Sequence, residues 1–208
     1  MIGISASYPL SNWPYTSISV GYKTGSREKS LLGSSNNTYS GQLNELSADF
    51  YLSYNEIALS LGVSILDDKN DTVSADKNKI ISYYATSNFN YSDFYFSPAL
   101  SITQESYYSG EYSYNTISPS VAISYQPTKS PYSASIYFYH STYKGNDQYT
   151  DFANLYGSFA LDWETKLGLD TKQKFSFKVE YSSYQDQVYS ESNLSDLSVG
   201  IQWRLSRY

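Results

Sequence analysis

Leu197-Ser198-Val199-Gly200-Ile201-Gln202-Trp203-Arg204-Leu205-Ser206 alternates apolar with small or polar side chains without a break. In an extended strand successive side chains point to opposite faces. This stretch therefore puts five apolar groups on one face and small or polar ones on the other. A helix would scatter the same residues around its axis. The stretch reads as a β-strand with two different faces.

The same period of two runs back through the chain. Ile18, Val20 and Tyr22 form one apolar row, and Leu46, Ala48, Phe50, Leu52 and Tyr54 a second. Further rows, taking every second residue, are Ile57 to Ile65, Ile81 to Phe89, Phe94 to Ile102, Ile117 to Tyr125, Ala134 to His140, Ala153 to Trp163 and Phe175 to Tyr181. With the closing stretch this predicts about ten strands, each long enough to cross a bilayer when tilted. Pro98 and Pro119 fall within rows and predict bulges or irregular sites, because proline gives no ladder hydrogen bond.

The connections alternate in length. Asn55 and Ser92-Asp93 mark tight turns, and Gln126 to Pro131 and Leu167 to Thr171 stay short. Gly25 to Ser40, Asp67 to Asn78, Gly145 to Thr150 and Asp186 to Asn193 are the longer, polar connections. Such alternation predicts an all-β fold: a closed antiparallel up-and-down transmembrane β-barrel over residues 15–208. Residues 1–14, interrupted by Pro9 and Pro14, read as an N-terminal strap or an extra edge segment.

Composition agrees with a sheet wet on one side only. Tyrosine (25), phenylalanine (9) and tryptophan (3) make the chain 18% aromatic, yet mean hydropathy is only -0.48. Charges gather in the connections, and the polar parity of the strands is mostly Ser and Tyr. The absence of cysteine excludes disulfides and thiolate metal sites. A net charge of -6 argues against a nucleic-acid partner. Met1-Ile2-Gly3-Ile4-Ser5 has neither the basic start nor the apolar length of a signal peptide, so the numbering is read as that of a processed chain.

An amphipathic last strand followed by a final aromatic, here Tyr208, resembles the closing strand of bacterial outer-membrane β-barrel proteins. Tyr208 itself falls on the polar parity, so the resemblance is to the class. It implies a Gram-negative outer-membrane location with both termini periplasmic, and outer-membrane lipid and lipopolysaccharide as partners. The function it implies is porin-like and without enzymatic activity: a narrow channel, an export-conduit component or a surface-interaction protein. An envelope protein partner fits the same reading. A soluble Tyr/Ser-rich β-sandwich or adhesin module is the alternative if the apolar rows pack on protein instead.

Within a barrel, Tyr22, Tyr54, Tyr91, Tyr125, Tyr132, Trp163 and Trp203 are expected to form interfacial aromatic girdles. Asp162, Glu164, Lys178, Glu180 and Arg204 share the polar parity and predict a charge cluster in the lumen. Charges in a narrow lumen must pair, which makes the cluster a salt-bridge plug or, less readily, a gate. Tyr51, Tyr84, Tyr95, Tyr137, Tyr139, Tyr156 and Tyr184 also point inward and fill space.

The lone histidine carries a second function reading. His140-Ser141-Thr142 faintly resembles the exterior His-x-Ser pair of outer-membrane phospholipase A and the lipid A deacylases. Thr142 would stand in the nucleophile's place and Asp151 would orient the histidine, giving an exterior-facing lipid hydrolase. Threonine is a departure, since its methyl group restricts attack. The acidic run Asp67-Asp68-Lys69-Asn70-Asp71 lacks the glycine and glutamate spacing of a calcium loop. No cofactor and no metal site are expected.

Overall fold

The computed structural model describes residues 2–30, 38–70, 77–107, 111–147, 150–166 and 171–207. They form one 11-stranded sheet in which each strand pairs with its neighbour in sequence. The strands are β1 (Ile2–Asn12), β2 (Tyr15–Ser30), β3 (Thr38–Tyr54), β4 (Ile57–Asn70), β5 (Lys77–Tyr91), β6 (Phe94–Tyr107), β7 (Tyr112–Tyr125), β8 (Tyr132–Gly145), β9 (Asp151–Lys166), β10 (Thr171–Asp186) and β11 (Leu194–Arg207). A 3-10 turn, Ser190–Ser192, precedes β11.

Register keeps the apolar rows on one face. Ile18 lies opposite Phe50, then Leu61, Ala85, Leu100 and Pro119 across successive strands. Farther on, Ile123, Ile136, Phe159, Val179 and Val199 form a second line. A slip of one residue on any strand would turn its whole row to the other side. The shared row is what fixes the register.

Nothing covers that row. Among the described residues no apolar side chain is buried, and row members such as Phe138 and Leu161 stay 42% and 41% exposed. A water-soluble sandwich requires a second sheet packed about 10 Å away against this face. No second layer exists among the described residues, so the sandwich alternative does not hold.

Three features differ from the sequence reading. Ile2–Asn12 is a full edge strand paired with β2, with one irregularity between Pro9 and Ser11, so the strand count is eleven. The described sheet is open, and β1 makes no contact with β11. An odd count makes β1 and β11 run the same way, which sets Ile2 and Arg207 at opposite rims rather than on one side. The strands also outrun their apolar rows. β2 and β3 stay paired to Ser30 and Thr38, and β4 and β5 to Lys69 and Lys77, well inside the stretches read as loops. Asp71 and Asp76 lie outside the described residues.

The short connections share one rim. Trp13-Pro14 (a cis peptide), Asn55-Glu56 and Ser92-Asp93 are two-residue turns between paired strands. Asn55 and Ser92 adopt the left-handed conformation, with φ of 52° and 55°, which such turns require for their twist to match the strands. At the two mid-row prolines the ladder lapses without a register shift. β5–β6 pairing skips from Thr86–Ala99 to Phe89–Phe96, and β7–β8 pairing from Ile117–Thr142 to Ser120–Tyr139.

Candidate functional site

The apolar face is a bounded band. On its short-turn side stand Tyr54, Tyr91, Tyr125, Tyr132, Trp163 and Trp203, all on the apolar parity. Their rings adjoin others there: Trp13 and Tyr54 lie 5.3 Å apart, Phe94 and Tyr125 4.8 Å, Trp163 and Phe175 5.3 Å, and Phe175 and Trp203 6.1 Å. Tyr22 lies toward the other rim, where Asn44, Asp67, Lys79, Gln104 and Asn115 take over the same parity. From Ile81 to Tyr91 the band runs about 33 Å along the strand, or roughly 25 Å once tilted, the height of an apolar barrel belt.

The opposite face carries Ser, Thr, Tyr and nearly all the strand-interior charge. The predicted cluster lies on β9 and β10 near the short-turn rim. Lys172 meets Glu164 at 2.8 Å, Lys174 meets Asp162 at 2.9 Å, and Lys178 meets Glu180 at 2.8 Å along β10. Arg204 on β11 sits opposite Lys174 in register. Lys172 and Lys174, absent from the expected set, complete the cluster. Their signal in the sequence was the even parity they share with Lys178. All three ion pairs lie along one wall, between or within adjacent strands, and none reaches across the space in front of the sheet. A recess of about 670 Å³ at this rim is lined by Lys129, Lys166, Lys172 and Glu164.

Farther from this rim, phenols hold carboxylates. Tyr84 donates to Asp49 two strands away, and Ser19 donates to the same carboxylate at 3.4 Å. The ring passes directly over Gly62, where an added Cβ would meet Tyr84 Cζ at 2.2 Å. A larger residue there displaces the Tyr84 ring from this path. Tyr156 likewise donates to Glu180 on the next strand. Tyr51, Tyr95, Tyr137 and Tyr139 share this parity, and Tyr95 donates to Asn88 at 2.6 Å.

At the long-loop rim the same face bears a ladder of rings. Tyr107, Tyr114, Tyr143, Phe152 and Tyr184 follow one another at 5.7, 5.3, 4.7 and 5.5 Å across five strands. Tyr114, Tyr143 and Phe152 stack nearly parallel, at 21° and 20°, so their faces cover one another and leave mainly edges and hydroxyls outward. Tyr107 donates to Glu105, and this bond, helped by burial, pushes the Tyr107 phenol well above its ordinary value. Asp186 accepts from the backbone N–H groups of Tyr189 and Val188 at 2.8 Å each. The Tyr189 bond, followed by that of Val188, holds its carboxyl below the usual carboxylate range.

The hydrolase set is not assembled. His140 lies opposite Leu155, Thr142 opposite Ala153, and Asp151 opposite Lys144. Four residues along β9 separate Asp151 from the position facing His140, about 13 Å of strand. His140 Nδ1 has no hydrogen-bond partner among the described residues. It sits beside the gap that Pro119 leaves in the β7–β8 ladder. No group of three or more His, Asp or Glu side chains able to hold a metal occurs among the described residues.

No family model and no curated protein matches the chain. Solved structures do. A loop-deletion form of OmpT, an outer membrane protein of Vibrio cholerae, aligns with a TM-score of 0.57 at 12% identity, over 98% of this chain and 62% of that one. An anion-selective porin from Comamonas acidovorans aligns at 0.60 and 12%, over 97% and 58%. The ferric yersiniabactin uptake receptor FyuA from Yersinia pestis aligns at 0.53 and 9%, over 98% and 40%. The chain thus spans less than two thirds of the length of each of these three. It has the fold of the bacterial outer-membrane β-barrel class, and the likeness stays at the level of that class.

Proposed function

We propose that the chain forms the wall of a non-enzymatic pore in a bacterial outer membrane. The apolar rows lie against lipid, and the Ser/Thr/Tyr face encloses a narrow aqueous passage. In the membrane both edges of the sheet are paired, because hydrocarbon offers no partner to unpaired backbone groups at an edge. The short-turn rim is periplasmic. The long-loop rim faces outward, where the β2–β3 and β4–β5 connections meet lipopolysaccharide or an envelope protein.

One observation carries this reading. Every apolar row shares a single uncovered face, while six charges of the other face pair along their own wall. Ion pairs that lie along the wall leave the passage open, which favours a lined constriction over a plug. The cluster of Asp162, Glu164, Lys172, Lys174, Lys178, Glu180 and Arg204 is that constriction, with cations in slight excess. The lipid-hydrolase reading has no assembled residue set behind it.

Conductance across planar bilayers tests the proposal. Discrete, reproducible channels are expected from refolded protein in which both edge strands are paired. Replacing Lys172, Lys174 and Lys178 together by Gln is expected to move the reversal potential toward cation preference. Silence from protein that has demonstrably inserted removes the channel and leaves a conduit component or a surface-interaction protein.

A further inference from the structure

The two edges of the sheet differ from its interior. On β1, Ile2 and Ile4 are 82% and 77% exposed, and on β11 Ile201 is 81% exposed, against 38% for Phe96 and Phe159 within the sheet. Each edge strand also has one side of its backbone unpaired, since β1 bonds only to β2 and β11 only to β10. In a membrane both edges must find partners.

Direction restricts what those partners are. β1 and β11 run the same way, so a seam between them would be the single parallel pair in an antiparallel sheet, with slanted and weaker bonds. Two copies inserted in the same orientation would meet β11 against β1 at both seams, again in parallel. An added unit with an even number of strands leaves one parallel seam. Only an odd number makes both seams antiparallel.

We infer that β1 and β11 are bridged by a β-meander with an odd number of membrane-spanning strands, carrying apolar residues on one face and small polar ones on the other. This rests on the membrane reading above. Two of the solved structures have length for such a unit, because the chain spans only 62% and 58% of them.

The chain itself supplies the probe. Residues 55–145, the turn Asn55-Glu56 followed by five strands β4–β8, are appended after Arg207. A control appends residues 55–125, which end with β7 and give four strands. Arg207 has the apolar parity of Tyr54, so the turn joins without changing faces. Amide exchange in detergent micelles is then compared for β1 and β11 in the parent and both extended chains. The five-strand extension is expected to slow exchange on both edge strands by at least roughly 100-fold, with little change from the four-strand one.

Edges already protected in the parent, whether by β1 meeting β11 or by a second copy, overturn the inference. So does any result in which five added strands protect no better than four. A parent that stays monodisperse in buffer without detergent defeats the membrane reading instead, which separates the two failures.

Discussion

The two faces of this sheet are built from the same strands, residue by residue, yet they follow opposite rules. One face is a continuous apolar field, unbroken by charge between its aromatic border at the short-turn rim and its polar border at the other. The other face holds lysines, carboxylates and phenols in specific pairs. Protein cores tolerate neither pattern alone, because an apolar row needs a cover and a charge row needs water. A sheet separating hydrocarbon from water meets both needs at once.

The sharpest way to break this contrast is to place the same charge on either face of one strand. Phe159→Arg puts a guanidinium into the apolar band and is expected to cost about 2–4 kcal/mol in refolding titrations. Ser158→Arg, one residue away on the other face and opposite Glu180, is expected to cost under about 1 kcal/mol. Equal costs would show that the two faces meet the same medium.

Packing on the small-polar face gives the next largest effect. Gly62→Ala forces the Tyr84 ring off its path to Asp49 and is expected to cost about 1–3 kcal/mol. Tyr84→Ala in the same chain is expected to recover most of that loss, which a simple loss of backbone freedom would not allow. The Lys172, Lys174 and Lys178 to Gln triple variant comes after it. These pairs are partly exposed, so stability is expected to change by under about 1 kcal/mol while ion preference moves clearly.

The smallest effect lies at the long-loop rim. The Asp186 carboxyl is held below its ordinary value, so its bonds to the Val188 and Tyr189 amides are intact above the usual carboxylate pKa of about 3.9. They are lost as pH falls through the lowered value. Protection of those two amides, taken relative to the intrinsic exchange rate at each pH, is expected to fall on strong acidification in the parent. Asp186→Ala is expected to show the low protection at every pH.

Most of the apolar face was legible in the sequence because a strand writes its faces as a period of two. The rows from Ile18 to Leu205 appear in the sheet with the parity they have in the chain. Asn55 and Ser92 announced their turns for a local reason, the left-handed backbone. β1 was harder to read, since Pro9 and Pro14 cut its row short and a lone edge strand looks like a strap. The extensions of β2 to Ser30 and β3 to Thr38 left no apolar trace. Beyond the band both faces are wet, so the alternation that marks a strand disappears. The pairing of Tyr84 with Asp49 was invisible for another reason: 35 residues separate the partners, and their only local sign was a glycine in the middle of β4. Lys172 and Lys174 share the even parity of Lys178, so their place on the polar face is legible in the sequence.

The most direct test of the contrast between faces uses single-tryptophan chains. Trp13, Trp163 and Trp203 are replaced by Phe, and one tryptophan is introduced at Phe159 or at Ser158. Each chain is reconstituted into vesicles whose acyl chains carry bromine. Strong quenching of the tryptophan at 159, with little at 158, is the predicted result. Equal quenching at both positions, or none at 159 in protein that floats with the vesicles, would contradict the placement of the apolar rows against lipid.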